Sequence, residues 1–267
     1  MVRCGWRPGD MTVAEGQSTR VPMPGGHIEV AEIAGDSARR PLVLLHEGLG
    51  SIGLWREFPE ALAAATARRV MTYSRFGHGQ SDPPSAPRTA SFFREEALEV
   101  LPLLLDRLGA PEPILVGHSD GGSIALIHAA HHTVSGLVLL APHVFVEDVT
   151  VQSIRDTREE YLHGDLRERM VRRHADPDTA FWGWCDVWLD PEFRSWSLEP
   201  ELDLLSAPAL LIQGREDPYG TLDQLERIER HSRGTTERLV LPGGHSLHRE
   251  DAPALAGAIA RFVEGLP

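Results

Sequence analysis

Short apolar runs alternate along this 267-residue chain with segments of helical periodicity, and this alternation constrains the fold more than any other feature. The runs that read as strands are 27–33, 41–46, 69–74, 113–118, 136–142, 208–214 and 238–242. The middle ones are almost continuously apolar, as expected for parallel strands covered on both faces. Helical patterns separate them, including 91–108, where Pro102 should bend or shorten the helix. The pattern predicts an α/β fold with a mostly parallel central sheet and helices on both faces.

One interval interrupts the alternation. Residues 145–205 follow a core strand and are dense in charge and tryptophan, with an amphipathic pattern over 157–175. We interpret this interval as a mostly helical cap inserted into the core. The predicted organisation is a disordered lead-in over 1–24, a core over 25–144 and 206–267, and the cap over 145–205.

A candidate nucleophile lies between a predicted strand and a predicted helix. Gly117-His118-Ser119-Asp120-Gly121 fits the pattern G-x-S-x-G, in which a sharp turn forces the serine into a strained conformation and presents its hydroxyl at the helix N-terminus. The alternative is a plain tight turn without catalytic function. The strand–turn–helix setting favours Ser119 as a nucleophile.

A nucleophilic serine needs a base, and the base needs an orienting carboxylate. For a serine in this setting the acid and then the histidine follow along the chain, each beyond a later strand. Asp217 in GREDPYG and His245 in PGGHSLH satisfy that order. Glu216 and Asp148 are alternative acids, and His248 is an alternative base.

Residues 46–53, HEGLGSIG, form a glycine-rich segment that we name the glycine loop. It contains G-x-G-x-x-G after a strand and before a helix, a setting that can cradle a dinucleotide phosphate. It can equally place a backbone N–H against the oxyanion of an acyl-transfer reaction, with the Asp120 amide as the other donor.

The dinucleotide interpretation has little else to support it. The next strand ends in Tyr73-Ser74-Arg75 without the expected acidic residue, although a serine–arginine pair can accommodate a 2′-phosphate. All 26 basic residues are arginine. The absence of lysine excludes a tyrosine–lysine pair, a Schiff-base lysine and a P-loop lysine. We therefore expect no cofactor.

Charge and cysteine content restrict the partners. The formal net charge is -13, so we expect neither nucleic acid nor an anionic membrane surface as a partner. Cys4 and Cys185 are far apart, which indicates reduced thiols and a cytoplasmic setting.

Three histidines share one helix face and could bind a metal: His128, His131 and His132. Histidines near a helix C-terminus more often interact favourably with the helix dipole, so no metal site is predicted.

Five motifs in order, HEGLG, YSRFGHGQSD, GHSDGG, GREDPYG and GGHSLHRED, resemble those of the α/β-hydrolase superfamily from about residue 25 onward. The family's usual His-Gly is His46-Glu47 in this chain, which leaves open whether Gly48 or Leu49 supplies the second amide to the oxyanion. The spacing to Trp55 favours Gly48. The resemblance implies a serine hydrolase in which Ser119 attacks, His245 acts as base and Asp217 orients it. Serine at 119 argues against the haloalkane dehalogenase and epoxide hydrolase subfamilies, whose nucleophile is a carboxylate.

The resemblance implies several possible reactions. We expect hydrolysis of a small, largely apolar carboxylic ester or lactone through an acyl-enzyme. Thioesterases, C–C bond hydrolases, cofactor-free haloperoxidases and a non-catalytic receptor remain alternatives. Ser-Asp-Gly-Gly also resembles the biphenyl-hydrolase-like branch that cleaves amino-acid esters, where the acid beside the nucleophile receives the substrate ammonium. The expected substrate-binding residues are Glu47, Leu49, Trp182, Trp184 and Trp188. The sequence does not indicate an oligomeric state.

Overall fold

A computed structural model describes residues 18–266 of the chain, and an eight-stranded sheet lies at its centre. The strands are β1 (Thr19–Met23), β2 (Gly26–Ile33), β3 (Leu42–Leu45), β4 (Val70–Ser74), β5 (Ile114–His118), β6 (Gly136–Leu140), β7 (Ala209–Gly214) and β8 (Thr236–Leu241). Their order is β1-β2-β4-β3-β5-β6-β7-β8. The six strands from β4 to β8 are parallel, whereas β1 and β2 pair antiparallel. The predicted fold class is confirmed.

Strand β1 corrects the prediction for the N-terminal segment. Thr19–Met23 lie within the expected disordered lead-in, yet they form an edge strand with Val21 and Met23 buried. Gly25 and Gly26, with φ of 92° and 150°, make the turn into β2. A five-residue strand containing a proline is too short for its alternation to be recognised, and Pro22 is tolerated because the strand is at the edge. Residues 1–17, including Cys4, lie outside the described residues.

Helices cover both faces of the sheet. They are α1 (Phe58–Thr66), α2 (Phe92–Glu95), α3 (Leu101–Arg107), α4 (Asp120–His131), α5 (Asp148–His163), α6 (Leu166–Val171), α7 (Pro177–Leu189), α8 (Glu199–Leu202), α9 (Asp223–His231), α10 (Leu247–Glu250) and α11 (Ala252–Glu264). Leu42 and Leu44 of β3 pack on the side of α1 and α11, whereas Val43 and Leu45 pack on the side of α4. No helix within residues 18–266 is long and apolar enough to cross a membrane.

The interval 145–205 leaves the sheet after β6 and returns to it at β7. It holds helices α5 to α8, and a bridge between Phe145 and Ser197 joins its two ends. Within it, Tyr161 of α5 stacks on Phe181 of α7 at a ring-centroid distance of 3.6 Å. We name this helical insertion the cap.

Pro102 changes the hydrogen bonding of its helix without ending it. Between α2 and α3 the chain makes a π-helical turn at Glu96–Val100. Because proline has no N–H, a carbonyl of the preceding turn loses its donor. The Nδ1–H of His128, on α4, donates to the Ala97 oxygen at 2.9 Å. Burial lowers the pKa of His128 to about 4, so this ring is a neutral donor and the dipole interpretation is wrong for it.

Within residues 18–266 no group of three acidic, histidine or cysteine side chains is placed to hold a metal.

His128→Ala should therefore destabilise the protein. Removal of the donor leaves the buried Ala97 carbonyl unpaired, which costs about 1–3 kcal/mol. His132→Ala removes an exposed imidazole from the same helix face and should change stability by less than about 0.5 kcal/mol. Denaturant unfolding of the two variants measures the difference, and equal stabilities would contradict this function of His128.

Candidate active site

Ser119 lies on the turn between β5 and α4, with φ 54° and ψ −119°. A non-glycine residue with this backbone is strained by about 1–3 kcal/mol. The Ser119 N–H donates to the Leu140 oxygen at 2.9 Å. A Cβ at Gly117 would collide with the Gly121 carbonyl, and a Cβ at Gly121 would collide with the Leu45 carbonyl. The turn therefore requires both glycines, and it places Ser119 at the N-terminus of α4.

Asp217 and His245 meet at the carboxyl ends of β7 and β8. The Nδ1–H of His245 donates to Asp217, with distances of 2.8 and 3.0 Å to the two carboxylate oxygens. The Tyr219 N–H (2.8 Å) and the Gln213 side-chain amide (3.1 Å) also donate to this carboxylate. Burial raises the pKa of Asp217, but the hydrogen bond and charge of His245 outweigh it and hold the pKa below its ordinary value. Asp217 is therefore ionised and fixes the imidazole.

The alternative residues lie elsewhere. Glu216 accepts a hydrogen bond from the Gly243 N–H at 2.6 Å, and the Asp148 carboxylate is exposed and paired with Arg194. His248 is 1 % exposed and packs against Trp55 at a ring distance of 4.9 Å. Burial lowers the pKa of His248 to about 2. None of these three candidates lines the cavity at Ser119.

A cavity of about 880 Å³ lies between the carboxyl ends of the strands and the cap. Of the residues predicted from the sequence, its lining includes Glu47, Gly48, Leu49, Ser119, Asp120, Trp184, Trp188 and His245. Asp217 lies behind His245, which separates it from the cavity. Within the described residues, Ser119 Oγ makes no hydrogen bond to the His245 imidazole, although both side chains line this one space.

The three cap tryptophans on α7 do not share a role. Trp184 and Trp188 are four residues apart, lie on one helix face and line the cavity. Trp182 points away from that face and packs against Tyr161 and Phe181. The prediction that Trp182 contacts substrate is therefore wrong. The Trp184 indole covers Gly48 so closely that a Cβ at that position would collide with it.

Side chains bind four successive carbonyl oxygens of the glycine loop. The bonds run from Arg75 Nη1 to the His46 oxygen (2.6 Å), from Arg75 Nη2 and His46 Nδ1 to the Glu47 oxygen (2.8 and 2.7 Å), from His78 Nε2 to the Gly48 oxygen (2.9 Å), and from His174 Nε2 to the Leu49 oxygen (3.1 Å). We name these four donor residues the carbonyl clamp. In a trans peptide the N–H points away from the C=O. The amides of Gly48 and Leu49 therefore point away from the clamp, and within residues 18–266 neither donates a hydrogen bond.

The three histidines of the clamp also accept a hydrogen bond each. The donors are the Arg75 N–H to His46 Nε2 (3.1 Å), Arg88 Nη2 to His78 Nδ1 (3.0 Å) and the Gly79 N–H to His174 Nδ1 (3.1 Å). A ring that donates from one nitrogen and accepts at the other must be neutral. Burial lowers the pKa of all three histidines, in agreement with that requirement. His46 lies in the HEGLG motif and His78 in YSRFGHGQSD, whereas His174 belongs to none of the five motifs.

Asp120 and Glu47, two of the acidic residues that line the cavity, differ in their partners. Asp120 is 1 % exposed. Its Oδ1 accepts from Trp188 Nε1 at 3.2 Å, and its Oδ2 has no partner within residues 18–266. Burial raises the pKa of Asp120 to about 6, against the lowering effects of the Arg75 charge and the Trp188 hydrogen bond.

Glu47, in contrast, has an arginine partner. Its carboxylate pairs with Arg249 and lies 3.5 Å from His118 Nδ1. Burial raises the pKa of Glu47, but the His118 contact and the Arg249 charge outweigh it and hold the pKa well below its ordinary value. Arg249 compensates the charge of Glu47, so Glu47 is not free to bind a substrate cation, although it lines the cavity as a residue predicted to bind substrate should.

His143 also lines the cavity, and sequence reasoning missed it. It follows β6 and packs edge-on against Trp188 at a ring distance of 5.2 Å, with its ring centroid 5.9 Å from that of His245. Burial lowers the pKa of His143 to about 3, so the ring is neutral, and its Nδ1 has no partner within the described chain. Its position at the carboxyl end of a parallel strand was the one available signal.

The sequence profile described as "alpha/beta hydrolase fold" matches residues 40–201, which include the serine turn and the glycine loop. The chain belongs to the α/β-hydrolase family. This confirms the resemblance drawn from the five motifs, and the eight-stranded sheet with its serine turn agrees with it.

Relatives and solved structures agree with that assignment. This hydrolase is 27% identical to human "Serine hydrolase BPHL" over 197 residues, which are 67% of this chain and 64% of the human protein. The mouse protein of that name is 25% identical over 267 residues, covering 92% of this chain and 86% of its own. The crystal structure of the enol-lactonase from Burkholderia xenovorans LB400 has a TM-score of 0.73 at 21% identity and covers 92% of this chain and 100% of its own. Together the comparisons support a serine hydrolase of the α/β fold and leave its substrate open.

His174→Ala should lower the turnover of this hydrolase, because it releases the Leu49 carbonyl from the cap. Removal of a hydrogen-bond donor to the reacting oxygen lowers kcat by a factor of ~10²–10³. Because His174 only positions the loop that carries such a donor, we expect kcat for 4-nitrophenyl acetate to fall about tenfold, and KM to change less than about threefold. His174→Gln can still donate and accept, so its kcat should stay within about threefold of wild type. Equal losses in both variants, with unchanged melting temperatures, would contradict the positioning function of His174.

Proposed function

We propose that this hydrolase cleaves a small, largely apolar carboxylic ester or lactone through an acyl-enzyme. The observation that supports this most is the Asp217–His245 pair, joined at 2.8 Å, which opens on the same cavity as a strained serine. An ionised carboxylate that fixes one imidazole nitrogen leaves the other free to act as a base.

The reaction proceeds in two steps. Ser119 Oγ attacks the substrate carbonyl while His245 takes the hydroxyl proton and then passes it to the leaving alcohol. Water next attacks the acyl-enzyme, with His245 taking its proton and returning it to Ser119 Oγ as the carboxylic acid leaves. Asp217 stays ionised and stabilises the imidazolium that forms in each step.

The amides of Asp120 and Gly48 bind the oxyanion in this proposal. Asp120 begins α4, so its N–H belongs to the positive end of the helix. The carbonyl clamp holds the Glu47 oxygen on the opposite side of the peptide from the Gly48 N–H. Two preorganised donors of this kind lower the barrier by several kcal/mol. The backbone N–H of Leu49 has the same orientation as that of Gly48, so it is the alternative second donor.

The lining of the cavity supports an apolar substrate. Most of its apolar side chains come from the glycine loop region and from the cap: Leu49, Leu54, Ile154, Leu166, Met170, Trp184 and Trp188. Burying one methylene of a substrate against such a surface contributes about 0.8 kcal/mol. Short acyl chains should therefore bind better with each added methylene until the cavity is filled.

Ser119→Ala and His245→Ala should each lower kcat/KM for 4-nitrophenyl butyrate by a factor of about 10⁴ or more. His248→Leu is the matched control, because it keeps the volume of a buried ring that does not line the cavity. Retention of more than about a hundredth of wild-type activity in Ser119→Ala would reject Ser119 as the nucleophile. Labelling by a fluorophosphonate probe in wild type, absent in Ser119→Ala, would also reject the alternative of a non-catalytic receptor.

A second candidate is an amino-acid ester hydrolase. The specific observation is the unpartnered Oδ2 of buried Asp120 at the cavity, with the neutral ring of His143 close to the same Trp188. A carboxylate and an imidazole lone pair together suit a substrate ammonium. The Ser-Asp-Gly-Gly stretch, which resembles the biphenyl-hydrolase-like branch, adds support to this candidate.

Asp120→Asn tests it. At pH 7 we expect an amino-acid ester to be preferred over its des-amino analogue by about tenfold in kcat/KM, or ~1.4 kcal/mol, in wild type but not in the variant. The preference should fall in wild type as the pH drops below about 6, the pKa at which Asp120 becomes protonated and loses its charge. Asp156→Asn, which changes another cavity carboxylate, should keep the preference. Equal rates for the two esters in wild type would leave the neutral-ester hydrolase.

A further inference from the structure

Three arginines line the mouth of the cavity that holds Ser119. They are Arg56, just after the glycine loop, and Arg172 and Arg173, which follow α6 in the cap. All three are exposed. We name them the arginine rim.

The arginine rim has no protein counter-charge. Within residues 18–266 none of its guanidinium groups forms an ion pair or a side-chain hydrogen bond. A shortage of carboxylates does not explain this, because the chain has 39 acidic residues against 26 basic ones. Many other arginines do have such partners, for example Arg69 with Glu32 at 2.9 Å and Arg227 with Glu199 at 2.5 Å. Unpaired arginines elsewhere in the described chain, such as Arg155, do not line this cavity. Three uncompensated cations therefore meet at one opening of a strongly acidic protein.

The remaining charges of the cavity do not cancel those of the rim. Two further arginines line it, but Arg249 is paired with Glu47, and Arg169 is paired with Asp165 and lies 3.5 Å from Glu160. Of the other carboxylates in the lining, Asp156 accepts a hydrogen bond from Gln152 at 2.8 Å, and Asp120 is buried beside Trp188. Burial raises the pKa of Asp120 only to about 6, so this group is mostly ionised at pH 7, and the two carboxylates offset the three charges of the rim only in part.

The rim is also fixed close to the glycine loop. Arg173 precedes His174, whose ring donates to the Leu49 oxygen at 3.1 Å, and Ala175 donates from its N–H to the Gly79 oxygen at 2.8 Å. A Cβ at Gly53 would lie 3.1 Å from Arg173 Nη1, so this guanidinium rests against the glycine loop. The hydrogen bonds of the clamp therefore hold the cationic mouth beside the proposed oxyanion site.

We propose that the arginine rim binds an anionic oxygen group, a carboxylate or a phosphate, at the far end of the substrate, so that the preferred substrates are esters carrying such a group. This inference rests on the proposed serine hydrolase function. The planar guanidinium matches carboxylate and phosphate oxygens with paired hydrogen bonds. The apolar lining of the cavity would then contact the chain between the reacting ester and the anion.

The kinetic test compares mono-4-nitrophenyl adipate with its neutral methyl ester at low ionic strength. We expect wild type to prefer the anionic ester by about tenfold or more in kcat/KM, and the preference to weaken as salt is added. The double variant Arg172→Gln/Arg173→Gln should bring the ratio of the two rates close to one. Arg155→Gln, an exposed cap arginine that does not line the cavity, should leave the ratio as in wild type. An equal ratio in wild type and the double variant would overturn the proposal while leaving ester hydrolysis intact.

A binding test that needs no turnover keeps the two proposals distinguishable. Ser119→Ala should bind monomethyl adipate about tenfold more tightly than dimethyl adipate in calorimetry, and lose that difference when Arg172→Gln/Arg173→Gln is added. Acetate and inorganic phosphate should both compete, and the one that competes at lower concentration identifies the anion that the rim prefers. Equal affinity for the two adipates, or no competition by either anion, would overturn the proposal even if the esters are hydrolysed.

Discussion

The structure of the site depends on four successive carbonyl groups, those of residues 46–49, being hydrogen-bonded on one side of the glycine loop. Arg75 and three histidines supply the donors, and they come from three parts of the chain: the loop itself, the loop after β4 and the cap. Each peptide unit is planar, so fixing the carbonyl also fixes the following N–H. Burial keeps the histidines neutral, which is necessary because each must accept as well as donate.

The clamp joins the cap to the catalytic core. His174 is the cap's contribution, and it donates to the Leu49 carbonyl while accepting from the Gly79 N–H. Displacement of this segment would disturb the glycine loop and move the arginine rim at the same time. The proposed anion binding at the mouth and the proposed oxyanion binding at the base are thereby linked through one imidazole.

The turn at Ser119 shows how far sequence reasoning could reach. Its strain is a local requirement, so the motif predicted a strained backbone at Ser119, where φ is 54°. The order of acid and histidine after the strands likewise predicted the Asp217–His245 contact. Sequence reasoning did not predict the residues whose function depends on neighbours far away in the chain. His143 and His174 belong to no motif, and Glu47 gave no sign that Arg249, some 200 residues later, would pair with it.

The sequence by itself determined the parallel sheet, the serine turn and the order of the proposed catalytic residues, because these follow from periodicity and from steric rules that act over a few residues. It could not reveal β1, whose five residues gain their stability from pairing with β2, nor that Trp182 faces away from the cavity while Trp184 and Trp188 line it. Only the tertiary structure decided which charges are compensated: it paired Glu47 with Arg249, left Asp120 half satisfied and left the arginine rim without partners. The physical reason is that Coulomb and hydrogen-bond energies depend on distances of a few ångströms between residues far apart in the chain, and folding alone sets those distances.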